Sequence, residues 1–174
     1  MPSAWEDLPY HGDIASSAWD HLDNALSFRP SVTPKSWPGI VEPQPSITYA
    51  IGHIYNGDGV RATQLEEDLA RTTHAAFRAC MQADQRLYAF DWQHVTYWFY
   101  PYRSFPAGDL EAWCVPVLPN GDYSIFLAED FSFGIFGHPW EQTLCVFGQR
   151  LLDSYAQAQP LLFTQIVRIN GMPT

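Results

Sequence analysis

Apolar positions change period along this chain, and the change divides it into a helical first part and a strand-rich second part. Ala15, Trp19, Leu22 and Leu26 recur at helical spacing, which predicts a helix over residues 13–28 with Asp13 or Ser16 as its cap. Pro30 ends it. Pro30, Pro34, Pro38, Pro43 and Pro45 make the next stretch extended and stiff. Ser46–Ile51 reads as a short strand, and Asn56-Gly57-Asp58-Gly59 as a turn. Leu65, Leu69, Ala76, Phe77 and Cys80 then trace an apolar stripe. They predict a helix over about 64–82, opened by a Thr63/Glu66 capping box.

Beyond residue 85 the period becomes that of strands. Strands are expected at 86–92, 95–102 and 123–129, from 134, and at 142–147. Ala112–Leu118 is expected to run along an edge, since Pro116 cannot donate to a ladder. Asn120-Gly121 is a turn signal. A helix is expected at 149–157, and the tail at 161–169 reads as one more strand. No internal repeat is present. Consecutive strands that do not alternate with helices imply an antiparallel sheet. The expectation is therefore one α+β domain over residues 1–174, with two or three helices packed on one face and residues 159–174 as a tail that adds an edge strand.

Composition supports a packed core, because 47% of residues are hydrophobic. A net charge of −10 repels phosphate backbones and anionic lipid surfaces, so neither nucleic acid nor a membrane is an expected partner. A basic protein or an organic amine fits that field. The N-terminus lacks the apolar run of a signal peptide. Cys80, Cys114 and Cys145 are odd in number and widely spaced, which argues for buried free thiols and a cytoplasmic location. The Gly57–Gly59 turn lacks the lysine of a phosphate loop, and no motif calls for a cofactor or a metal.

Two clusters carry candidate chemistry. Asp91-Trp92-Gln93-His94 can place a carboxylate against an imidazole, or can be a turn whose backbone N–H groups Asp91 caps. Gly137-His138-Pro139-Trp140-Glu141 holds His138 extended before proline. There His138 can serve as acid or base and Glu141 as a cation anchor, or the segment can be a rigid corner. Asp122 reads as a turn residue only.

The segments Phe28–Ser31, Glu42–Tyr49, Asp91–His94, Gly121–Asp130 and Phe136–Gly148 resemble a bacterial family catalogued as domain of unknown function 2716. The resemblance spans about residues 5–152 and implies a bacterial, cytosolic, stand-alone domain without assigned catalytic residues. The tail at 159–174 does not follow the family pattern.

Two functional expectations follow. The first is an acidic cytosolic binding protein, of immunity type, that recognises a basic protein. The second is a small cofactor-independent acid–base enzyme or small-molecule binder. Its pocket would be lined by Trp92, Tyr97, Trp98, Phe136 and Trp140 and armed with Asp91, His94, His138 and Glu141. Convergence of the two histidines and Glu141 in one pocket would favour the enzyme, and internal bonding of those groups would count against it.

Overall fold

The computed structural model describes residues 2–9 and 13–174, with the backbone alone at Asp13. Period-two alternation builds a nine-stranded antiparallel sheet: β1 (Trp5–Asp7), β2 (Ser46–Ala50), β3 (Leu87–Asp91), β4 (Tyr97–Phe99), β5 (Ser124–Ala128), β6 (Gly134–His138), β7 (Thr143–Phe147), β8 (Ile166–Ile169) and β9 (Met172–Pro173). Their order is β1-β4-β3-β5-β6-β7-β2-β8-β9. Three helices complete it: α1 (Asp13–Leu26), α2 (Gly59–Cys80) and α3 (Gln149–Gln157). The protein is a single α+β domain with an antiparallel sheet.

The helices do not all pack on one face as expected, because β5 needs cover on both sides. Phe126 and Ala128 enter one core cluster, Ile125 and Leu127 the other, and the whole strand is buried. α2 and α3 share the first face, where Leu69 and Phe77 of α2 and Leu151 of α3 are fully covered. α1 covers the second face with Ala15, Ala18, Leu22 and Leu26, together with Phe28 and Ile40 of the proline-rich segment. β3, β5, β6 and β7 are thereby central.

Several local expectations need correction. α2 begins at Gly59, inside the expected turn, because the Asp58 side chain caps it by accepting from Arg61 N at 2.8 Å. Thr63 lies inside the helix and donates to Gly59 O, so it forms no capping box. The cap assigned to Asp13 falls outside the described residues, and Ser16 lies within α1. Residues 112–118 form no strand. A 3-10 turn at Leu110–Ala112 leads into a coil that buries Trp113, Val115 and Val117 on the α2 face. Cys80 and Cys145 are buried as expected, but Cys114 is exposed, its neighbours Trp113 and Val115 having turned inward.

Gly148 joins β7 to α3 at φ +90°, and a Cβ there would run into Phe133 Cβ and the Ser132 carbonyl. Gly148→Ala should therefore cost more than about 1 kcal/mol in urea unfolding. A neutral result would show that the connection can relax.

Candidate functional site

The two candidate clusters lie at the same end of the sheet, since Asp91 pairs with Ser124 and Ser124 with Gly137. They do not merge. Trp92, Tyr123 and Trp140 stand between them in edge-on contacts, with centroids 5.7 Å apart for Trp92–Tyr123 and 5.2 Å for Tyr123–Trp140. No hydrogen bond or ion pair joins the clusters among the described residues.

His138 is fully buried at the end of β6. Its Nδ1 accepts from the Glu141 backbone N–H at 3.0 Å and thereby closes the Pro139–Trp140 turn. Nε2 faces the Tyr123 hydroxyl at 3.4 Å, and that hydroxyl is in turn fixed on the backbone of Ser31. Burial lowers the imidazole to about pKa 4, against an opposing pull from Glu141, so it is neutral at neutral pH. A buried neutral histidine with both nitrogens engaged braces the corner through its own bonds.

Glu141 is likewise committed. Arg168 of β8 grips it through two bonds, Nη1–Oε1 at 2.6 Å and Nη2–Oε2 at 2.8 Å, and Thr143 Oγ1 donates at 2.8 Å. Burial acts to raise its pKa, but the bonds from Arg168 and Thr143 outweigh that and leave it lowered. Arg168 Nε also donates to Glu42 Oε1 at 2.7 Å, and Thr48 Oγ1 donates to the same oxygen at 2.9 Å. Two glutamates thus enclose one guanidinium, and Glu42 Oε2 is buried without a partner among the described residues. Glu141 anchors a cation, as its sequence position suggested, but the cation is the chain's own arginine.

The expected aromatic lining also separates, because alternate residues of a strand face opposite ways. Tyr97 points to the α2 face and meets Trp5 edge-on. Trp98 points to the α1 face, against Tyr88 and beneath the Arg86 guanidinium at 3.7 Å. Phe136 is buried against Phe28 and Tyr123 as core. Phe136 stays beside His138 at 6.3 Å, and Trp92 and Trp140 meet each other edge-on with ring centroids 6.3 Å apart.

The turn after β3 holds the remaining chemistry. Gln93, at φ +68°, lets the chain reverse, and the His94 N–H bonds Asp91 O at 3.0 Å. His94 Nδ1 then lies 3.3 Å from Asp91 Oδ2 and 3.6 Å from Asp122 Oδ2. No backbone N–H or hydroxyl donates to either carboxylate among the described residues, so Asp91 is not the expected side-chain cap. Burial raises the Asp91 pKa; His94 opposes this and Asp122 adds to it. The Asp122 contact was invisible in sequence, since it depends on β5 pairing beside β3.

A cavity of about 440 Å³ opens against this turn, lined by Ala15, Ser16, Trp19 and Asp20 of α1 and by Trp92, Gln93 and His94. The α1 wall was also missed, because Trp19 reads as an ordinary core position of an amphipathic helix. Its indole N–H is held by Thr96 Oγ1 at 3.0 Å. No lysine or arginine lines the cavity among the described residues.

The profile of a family described as protein of unknown function (DUF2716) matches residues 11–152. An uncharacterized protein, YxiI, of Bacillus subtilis (strain 168) is 41% identical over 96 residues, 55% of this chain. The match spans 59% of that relative's length. No solved structure matches. Glu42, Glu141 and the whole Asp91–Asp122 group lie inside the family-matched stretch, while Arg168 lies beyond it.

Proposed function

Because the chain belongs to this family of proteins of unknown function (DUF2716), whose description names no activity, we propose its function from the site itself. It is a bacterial cytoplasmic binding protein whose α1–β3 cavity receives a cationic group of a basic protein partner, as immunity-type recognition would require. The observation that carries this reading is the cavity lining. Trp19 and Trp92 provide aromatic faces and Asp20 a carboxylate, with Asp91 and Asp122 in contact with His94 and no lysine or arginine among the described lining residues. Such a lining attracts a guanidinium or ammonium through charge and ring quadrupole together. The net charge of −10 steers the same partner toward it.

Titration calorimetry with an arginine-rich peptide tests this. Binding should weaken with salt, and Asp20→Lys or Trp92→Ala should each weaken it at least about tenfold, or 1.4 kcal/mol. Equal affinity for an acidic peptide, or indifference to both substitutions, would refute the reading.

A second reading, a small-molecule binder or acid–base enzyme, is favoured by the Asp91–His94 contact beside a cavity of small-ligand size. A thermal-shift hit with a neutral organic ligand, abolished by His94→Ala, would support it over the first.

A further inference from the structure

We propose that Asp91, His94 and Asp122 form a binding site for one divalent transition-metal ion of the zinc class, with its open coordination position facing the α1–β3 cavity. The proposal goes beyond the reading above, needs no protein partner, and makes the metal a competitor of the cationic group, because both draw on Asp91 and Asp122. The three residues come from separate features: the end of β3, the turn after it and the lead into β5. Their convergence is a product of the fold and not of a local sequence repeat.

The spacing fits. Bonds of about 2.0–2.2 Å in a tetrahedral shell put neighbouring ligand atoms about 3.3–3.5 Å apart. His94 Nδ1 stands 3.3 Å and 3.6 Å from the two carboxylate oxygens, and all three atoms lie within 4.8 Å of one another. The remaining edge closes by a small rotation of Asp122, whose side chain is 30% exposed and tied to nothing else among the described residues.

The hydrogen-bonding pattern points the same way. Aspartates at turns ordinarily accept backbone N–H bonds. Here neither carboxylate accepts one among the described residues, and both stand against a single imidazole nitrogen. A neutral imidazole carries at most one hydrogen on that nitrogen, so it satisfies one carboxylate and leaves the other facing a lone acceptor. A divalent cation satisfies all three atoms at once and cancels both negative charges. One imidazole nitrogen with two carboxylate oxygens suits zinc or manganese more than a soft ion. His94 lines the cavity, so a fourth ligand, water or an incoming group, enters from there.

The test is calorimetric titration of zinc alone into chelator-treated protein at neutral pH. One equivalent should bind, and Asp122→Asn and His94→Ala should each weaken binding at least about tenfold, or 1.4 kcal/mol. Far-UV circular dichroism should be unchanged in both variants, and His53→Ala, in the 3-10 turn at Gly52–Asn56 and outside the three ligands, should bind as the parent does. Cobalt substitution gives an independent readout, a visible ligand-field absorption that disappears in Asp122→Asn. Absence of stoichiometric binding would overturn the proposal, as would unchanged affinity in Asp122→Asn and His94→Ala.

Discussion

Arg168→Met should destabilise the protein by about 3–5 kcal/mol, because removing one partner of a buried ion pair leaves uncompensated charge behind. Here it leaves two charges. The Glu42 side chain is 1% exposed and that of Glu141 15% exposed, and Arg168 is the cation that both contact. For a domain of this size the loss corresponds to a fall of about 10 °C in Tm. Adding Glu42→Gln and Glu141→Gln to Arg168→Met should recover most of the stability, since the desolvated charges then disappear together. Urea unfolding of the single and triple variants measures this. A single variant as stable as the parent, or a triple variant no better than the single, would show that water reaches the carboxylates and that the arrangement is superficial.

Acid should find the same corner. His138 is neutral in the folded chain, with its pKa lowered to about 4, whereas an unfolded histidine titrates near its ordinary value of 6.5. As pH falls below that ordinary value the unfolded state takes up a proton that the folded state refuses. Stability is therefore full above the unfolded pKa and declines as pH drops toward the folded one. Between about pH 7 and pH 5 the loss from this residue is about 2 kcal/mol. Burial lowers the His74 pKa too, so its contribution has the same sign. The lowered Glu141 acts at more acidic pH, through protonation of its unfolded form near 4.5. His138→Asn separates the effects, since its Oδ1 can accept from the Glu141 N–H without titrating. Comparing urea midpoints at the two pH values should show a shallower decline in the variant. Equal declines would mean that His138 takes up its proton in the folded state.

Both outcomes bear on what the amino-acid sequence made legible. The α1 stripe and the helix at 149–157 came through because each buries one regular face, and the strands at 86–92, 95–102, 123–129, from 134 and at 142–147 because each is a short β-branched and aromatic run between turn signals. The start of α2 did not, since the glycines of Gly57-Asp58-Gly59 masked an aspartate cap. β1 stayed hidden because its Trp5-Glu6-Asp7 carries two charges and only three residues. The site was legible in parts. Asp91 and His94 were visible as neighbours, and His138 and Glu141 as residues of a stiff corner. What sequence spacing cannot supply is which groups the fold has already spent. Arg168 reaches Glu42 and Glu141 only because β8 pairs with β2. Asp122 reaches His94 only because β5 pairs with β3. The first contact occupies Glu141 with the chain's own arginine, and the second adds a carboxylate to the Asp91–His94 pair.

The corner at Phe136–Glu141 bonds its polar groups internally, His138 to the Glu141 backbone and Glu141 to Arg168. Its aromatic neighbours, Tyr123 and Trp140, back the Trp92 wall and fix the turn that carries His94. The proposed recognition surface lies on the α1 side of that wall.

Following the indole N–H resonances by NMR during titration with an arginine-rich peptide examines that assignment most directly. Trp19 and Trp92 should shift together and saturate at one peptide per chain, while Trp5 and Trp113, packed on the opposite face of the sheet, stay in place. Movement confined to Trp5 and Trp113, or no movement at saturating peptide, would contradict a cationic-group site between α1 and β3.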